Sequence, residues 1–118
     1  MTDPAASSEL SQQYYREGFE LLKLEHFVES LERFGKSAEL RNKTTPDMYR
    51  NQGWCLFRLA EQDTFVLEWK SAEEKFQQAK RFYERALAGF LQMKQQAQTQ
   101  SFRQRLKLHM SDMDVKID

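Results

Sequence analysis

Two histidines (His26 and His109), one cysteine (Cys55) and the serines and carboxylates near them are the groups in this 118-residue chain that could carry proton transfer, nucleophilic attack or metal binding. Neither imidazole lies within four residues of Cys55 or of a serine in a nucleophile turn, so the pattern of an activated nucleophile is missing. A di-iron helical bundle needs Glu three residues before a histidine, and Lys23 and Leu106 stand there instead. Glu25, His26 and Glu29 could touch one ion, but carboxylates beside a turn histidine more often face solvent. Cys55 sits in an apolar helical run, where a buried, inert thiol is the ordinary state. No Gly-rich phosphate loop is present. The chain therefore reads as a binding protein, with no catalytic residue, metal or cofactor expected.

The elements that position these groups follow from composition. Val and Ile occur only at 28, 66, 115 and 117, too few for a sheet of any size, while Leu, Phe, Ala, Glu, Gln, Lys and Arg dominate. All-α is the expected class. One domain fits the length. A single cysteine allows no internal disulfide, and no stretch approaches the roughly 18 apolar residues of a membrane span, so cytoplasmic residence is the default expectation.

Residues 1–10 carry little apolar bulk and read as a flexible leader. Apolar positions then recur at helical spacing in two blocks that divide near Glu25-His26, which predicts a hairpin over 11–41. Asn42 to Asp47 is a stop and restart, with Thr45 as the cap, Pro46 in the first helical position and Asp47 at the positive end. A second hairpin is expected over 46–95. Ser71-x-x-Glu74 reads as a capping box, and Gln62 to Lys70, with Phe65, Val66 and Trp69, as a segment that lengthens this hairpin or folds over an end. Gln95 to Gln100 reads as a weak point, followed by a capping helix over 100–110 with Phe102, Leu106, Met110 and Met113 as its apolar stripe. Residues 111–118 read as a loose tail. One folded unit over 11–110 results.

A shift of 35 residues aligns Tyr14 with Tyr49, Gly18 with Gly53, Phe19 with Trp54, Leu21 with Leu56, Leu22 with Phe57 and Leu24 with Leu59. Such a period signals a helical repeat array. The first unit, with Tyr14, Gly18, Leu21, Phe27, Ser30, Phe34 and Ser37, resembles the tetratricopeptide repeat, in which small residues admit the large ones of the neighbouring helix. The second matches through Tyr49, Gly53 and Leu56 and then through Ala79 to Leu87, 14 residues later than family spacing. A placement on Ala72, Phe76 and Ala79 shortens the excess to seven. Either way the second hairpin is enlarged. The resemblance covers residues 11 to 91 and implies a short right-handed array of stacked hairpins, closed here by the capping helix.

In the family the first helices line a concave groove. The resemblance places Tyr15, Phe19, Leu22 and Lys23 beside Arg50, Trp54, Phe57 and Arg58, an aromatic trough with positive edges suited to an acidic or amphipathic segment of a partner protein. Trp54 and Phe57 could instead pack under the chain's own C-terminal helix. Family members that grip chaperone C-termini use a Lys and Asn pair where Tyr15 and Phe19 stand here, and only Asn51 matches. Short arrays of this kind in bacteria serve as assembly or secretion chaperones and as signalling scaffolds. The resemblance thus implies an adaptor, scaffold or chaperone-like module.

Charge keeps two alternatives open. The formal net charge of zero divides into −4 over residues 1–39, −1 over 40–74, +7 over 75–109 and −2 over 110–118. The basic block, with Lys80, Arg81, Arg85, Arg103, Arg105 and Lys107, could be a solvated face, could steer an acidic partner or a second copy in a homodimeric scaffold, or could meet nucleic acid or an anionic membrane. It lacks the interleaved aromatics that single-strand binding favours.

Overall fold

The computed structural model describes the backbone of residues 4–41 and 44–117 and the side chains of 5–41, 44–105, 107 and 108. Its described residues form four helices and no strand: α1 (Pro4–Lys23), α2 (Phe27–Glu39), α3 (Pro46–Phe65) and α4 (Trp69–Ile117). The chain is all-α. Thr45 caps α3 as its sequence indicates, its Oγ1 accepting from the Met48 amide at 3.3 Å, with Pro46 in the first turn.

Small residues set how the helices meet. Phe34 is fully buried, and a Cβ on Gly18 would stand 2.9 Å from its ring, so only glycine lets α1 lie against it. The Ser11 hydroxyl donates to the Ser37 carbonyl at 2.9 Å, Ser37 returns a bond to the Ser11 carbonyl at 2.7 Å, and Ser30 donates to the Gly18 carbonyl at 2.7 Å. These hydroxyls are small enough to permit close approach, and each has a partner, as burial requires. α1 and α2 are therefore antiparallel. α2 meets α3 in the same sense, through Arg58 over the Phe27 ring and the Cys55 thiol donating to Ser30 Oγ at 3.5 Å. α1 and α3 consequently run parallel, and Asn51 Nδ2 on α3 donates to Tyr15 Oη on α1 at 3.0 Å. Phe27, Phe34, Met48 and Cys55 form the core, with Tyr15, Leu22, Leu31 and Leu59 packed around it.

Both hairpins close with the same turn. Glu25 N–H reaches the Leu22 carbonyl and His26 N–H the Leu21 carbonyl; Leu67 N–H reaches Thr64 and Glu68 N–H reaches Asp63. This is a Schellman cap, and the residue at its left-handed position is Glu25 (φ 61°) in one turn and Leu67 (φ 65°) in the other. A side chain there costs about 1–2 kcal/mol. Leu67→Gly is expected to raise stability by about 1 kcal/mol, read as a higher urea midpoint with an unchanged slope.

The turns are 42 residues apart, whereas α1 and α3 align at 35. Gly53 faces Ala79 and the Tyr83 ring, which a Cβ would approach to 3.2 Å, and Ala72, Ala79 and Ala86 are buried in series along α4. The excess is therefore 14 residues, seven in each arm. Seven residues are close to two full turns, so each arm lengthens without rotating its buried face.

Across the far end of these longer arms, the Asp63 carboxylate accepts from Ser71 Oγ at 2.6 Å and from Lys75 Nζ. Those bonds hold the Asp63 carboxyl below its ordinary range, with Lys75 the larger cause. A depressed folded pKa contributes stability that is fully present above the unfolded value and is lost as pH falls through the folded one. The gap in melting temperature between wild type and Asp63→Asn is expected to be full above about pH 5 and to close below about pH 4.

Four expectations need correction. The helix start at Pro4 makes residues 4–10 part of α1, and only 1–3 of the expected leader lie outside the described residues. The separate capping helix over 100–110 is absent, because α4 runs unbroken through Gln95 to Gln100. Its backbone remains helical through Ile117, where a loose tail was expected. Of the capping stripe, Phe102 is exposed, while the side chains of Leu106, Met110 and Met113 lie outside the described residues. Ser71 does not cap a helix; α4 begins two residues earlier and Ser71 binds Asp63.

Candidate protein-binding surface

On the parallel helices α1 and α3, Phe19 and Trp54 face solvent at equivalent positions. Phe19 is 40% exposed and Trp54 is 41% exposed. Each carries a cation from one helical turn further on: Lys23 Nζ lies 4.9 Å from the Phe19 ring, and the Arg58 guanidinium 5.7 Å from the Trp54 ring. Phe57 stacks on Trp54 at 5.9 Å and takes the edge of Phe76 from α4 at 5.5 Å. Phe57 is thus partly covered by the chain's own last helix, while Trp54 keeps part of its ring in solvent. Beside them a groove of about 480 Å³ runs between α3 and α4, walled by Phe57, Phe76, Tyr83 and Leu87.

The other groove candidates serve the fold. Tyr15 packs on Phe34 at 5.5 Å and holds Asn51, and Leu22 lies against the core. Asn51, the lone match to the chaperone-binding pattern, is buried and engaged. The expected positive edge is neutralised, since each cation has a carboxylate: Lys23 pairs with Glu20 at 3.2 Å, Arg50 with Asp47 at 3.2 Å, and Arg58 with Glu61 at 3.6 Å and Glu25 at 3.8 Å. Arg58 also covers Phe27, so it ties α3 to α2. The surface that remains is aromatic with balanced charge.

The basic residues do not gather into one patch. Arg85 lies over Tyr49 and Phe82, and Lys80 and Arg81 are exposed beside it. Arg103, Arg105 and Lys107 begin 18 residues further along the same helix, about 27 Å away. Of the two roles open to Gln62 to Lys70, lengthening the second hairpin is the one seen, since α3 runs to Phe65 and α4 starts at Trp69. Phe65 is 88% exposed at the tip of the longer hairpin, and Val66, Leu67 and Trp69 are exposed with it.

The groups with possible chemistry are accounted for structurally. Burial pushes the Cys55 thiol up from its ordinary range, which suppresses the thiolate. His26 is exposed with Glu29 at 3.7 Å. Among the described residues no three of His, Cys, Asp and Glu come together as a metal site would need. The His109 side chain lies outside the described residues, and no described helix is long and apolar enough to cross a membrane.

No protein-family model, curated protein or solved structure matches this chain.

Proposed function

We propose that the chain is a non-catalytic, tetratricopeptide-like interaction module that holds a segment of a partner protein against Phe19 and Trp54. One observation carries this reading: two solvent-facing aromatics 35 residues apart, on parallel helices, each overlain by a cation one turn on. Contiguous exposed apolar groups mark interaction surfaces, and Trp and Arg are among the residue types enriched at binding hot spots. The repeat-like architecture is supported by Gly18 and Gly53, each receiving a ring from the second helix of its own hairpin, and by the shared turn. The partner segment best suited to the balanced rim is amphipathic, with its apolar side on the rings.

Trp54→Ala removes the larger ring without touching the core. Affinity capture from the native cell extract is expected to lose a specific protein with this variant and with Phe19→Ala, while the thermal melt shifts by less than about 1 kcal/mol. An unchanged set of captured proteins with both variants would refute the reading.

A further inference from the structure

The second hairpin repeats the first in its contacts as well as its residue types. α1 aligns with α3 at a shift of 35 and α2 with α4 at a shift of 49. In the first hairpin Lys36 lies over the Tyr14 ring and Gly18 receives Phe34; in the second Arg85 lies over Tyr49 and Gly53 receives Tyr83. The buried Ser30 and Ser37 correspond to the buried Ala79 and Ala86. On the flank of the first hairpin, α3 sets Met48, Cys55 and Leu59 against Leu22, Phe27, Phe34 and Ala38. The two shifts carry those four positions onto Phe57, Phe76, Tyr83 and Leu87, the walls of the open groove of about 480 Å³ between α3 and α4. Leu87, at one end of it, is 60% exposed.

We infer that this groove takes an amphipathic helix of a partner protein, laid parallel to α3 as α3 lies parallel to α1. The chain itself shows what covers such a flank, because the equivalent groove is filled by a helix with apolar residues at intervals of seven and four, Met48, Cys55 and Leu59. Phe27 to Ala38 and Phe76 to Leu87 are equally long, about 16 Å of helix, so the guest needs about three turns. This chain supplies no such ridge. α4 runs unbroken past Gly89 and is exposed from Leu91 to Arg105, so it does not turn back into its own groove. A second copy stacked end to end would present α1, where Gln13, Glu20 and Leu24 stand in place of Met48, Cys55 and Leu59. Gln13 and Glu20 are polar and exposed, and burying them in an apolar groove would leave them without partners. Two grooves set face to face leave both unfilled.

One difference between the grooves adds to the guest's chemistry. Leu31 and Gly35 line a cleft with Gln52 and Leu56 of α3, and their counterparts on α4 are the exposed Lys80 and Glu84. With the antiparallel order fixed by Ser30 opposite Cys55 and Phe27 opposite Arg58, a carboxylate at the guest's equivalent of Leu56 reaches Lys80 and stays clear of Glu84. At the equivalent of Gln52 it would meet Glu84 as well. The partner helix therefore carries an acid one residue beyond its middle apolar position.

This flank shares no residue with Phe19, so the inference and the reading above fail separately. The probe is a fluorescent peptide copying Thr45 to Glu61, with Gly53→Ala for helicity and either Leu56→Glu or Leu56→Lys, read by anisotropy on the full chain under reducing conditions. The Leu56→Glu peptide is expected to bind in the micromolar range, at least about threefold tighter than the Leu56→Lys peptide. Leu87→Glu in the chain is expected to weaken it at least about tenfold, because a carboxylate would be buried against the apolar ridge, whereas Phe19→Ala leaves it unchanged. Leu87 and Lys80 are exposed, so both variants keep the fold, with the thermal melt as the check. Lys80→Glu is expected to reverse the preference between the two peptides. No binding by the wild type, binding indifferent to Leu87→Glu, or a preference that Lys80→Glu does not move would each overturn the proposal. A wild-type dimer that Leu87→Glu splits on light scattering would do the same, since a second copy would then occupy the groove.

Discussion

Phe34→Ala is expected to lower stability by about 3–5 kcal/mol, the range for deleting a fully buried aromatic ring. The ring is the centre of the first joint. It fills the space over Gly18, takes the Tyr15 ring at 5.5 Å and shares the core with Phe27, Met48 and Cys55. Those neighbours lie on α1, α2 and α3, so they cannot collapse into the cavity without moving whole helices. Native domains hold only about 5–15 kcal/mol in all, so the melt should fall by roughly 10–20 °C as followed by far-ultraviolet circular dichroism. Phe34→Leu keeps part of the volume and is expected to cost clearly less. A loss under about 1 kcal/mol for Phe34→Ala would show that the joint does not depend on this ring.

Gly53→Val is the corresponding test at the second joint. A Cβ at 53 would stand 3.2 Å from the Tyr83 ring and 3.3 Å from the Ala79 carbonyl oxygen. A ring can rotate a little, but a helix carbonyl cannot step aside. The added methyl groups must therefore push α4 off α3, at a cost of about 1–3 kcal/mol or more for overpacking. Gly35 is the internal control. It lies within α2, and a Cβ there would meet nothing within 4 Å. Replacing an unconstrained mid-helix glycine with alanine gains roughly 0.5–1 kcal/mol, so Gly35→Ala should raise the urea midpoint while Gly53→Val lowers it. Equal effects of both substitutions would mean that helix propensity, not close approach, governs the glycines.

Much of this architecture is legible in the residues. Thr45, Pro46 and Asp47 mark the start of α3 because local capping chemistry needs no distant partner. The 35-residue shift identifies Gly18 and Gly53 because a small residue opposite a ring is a packing demand that survives in composition. The break expected at Gln95 to Gln100 is a different case. Glutamine is a good helix former and neither glycine nor proline interrupts the run, so polarity without a breaker does not end a helix. Ser71 carries a capping-box pattern but lies two residues inside α4, because the chain turns at Leu67, a residue whose type gives no hint of a left-handed conformation. The Asp63 clip depends on where that turn falls, since Ser71 and Lys75 reach it only across the turn. The groove is half legible. Phe19 and Trp54 are related by the 35-residue shift and both are exposed, but the neutral rim depends on pairings such as Arg58 with Glu25, 33 residues apart, which no local pattern announces.

The unbroken α4 also has a mechanical meaning. One continuous helix carries the Gly53 joint in its packed part and the projecting arm at its end. From Ala79, which faces Gly53, to Ile117 the helix is about 57 Å long, so a tilt of only 10° at the joint swings its tip by about 10 Å. Any partner that wedges Trp54 or Phe57 and rocks α3 against α4 would be felt far away as a large displacement, which makes this helix a lever as well as a wall.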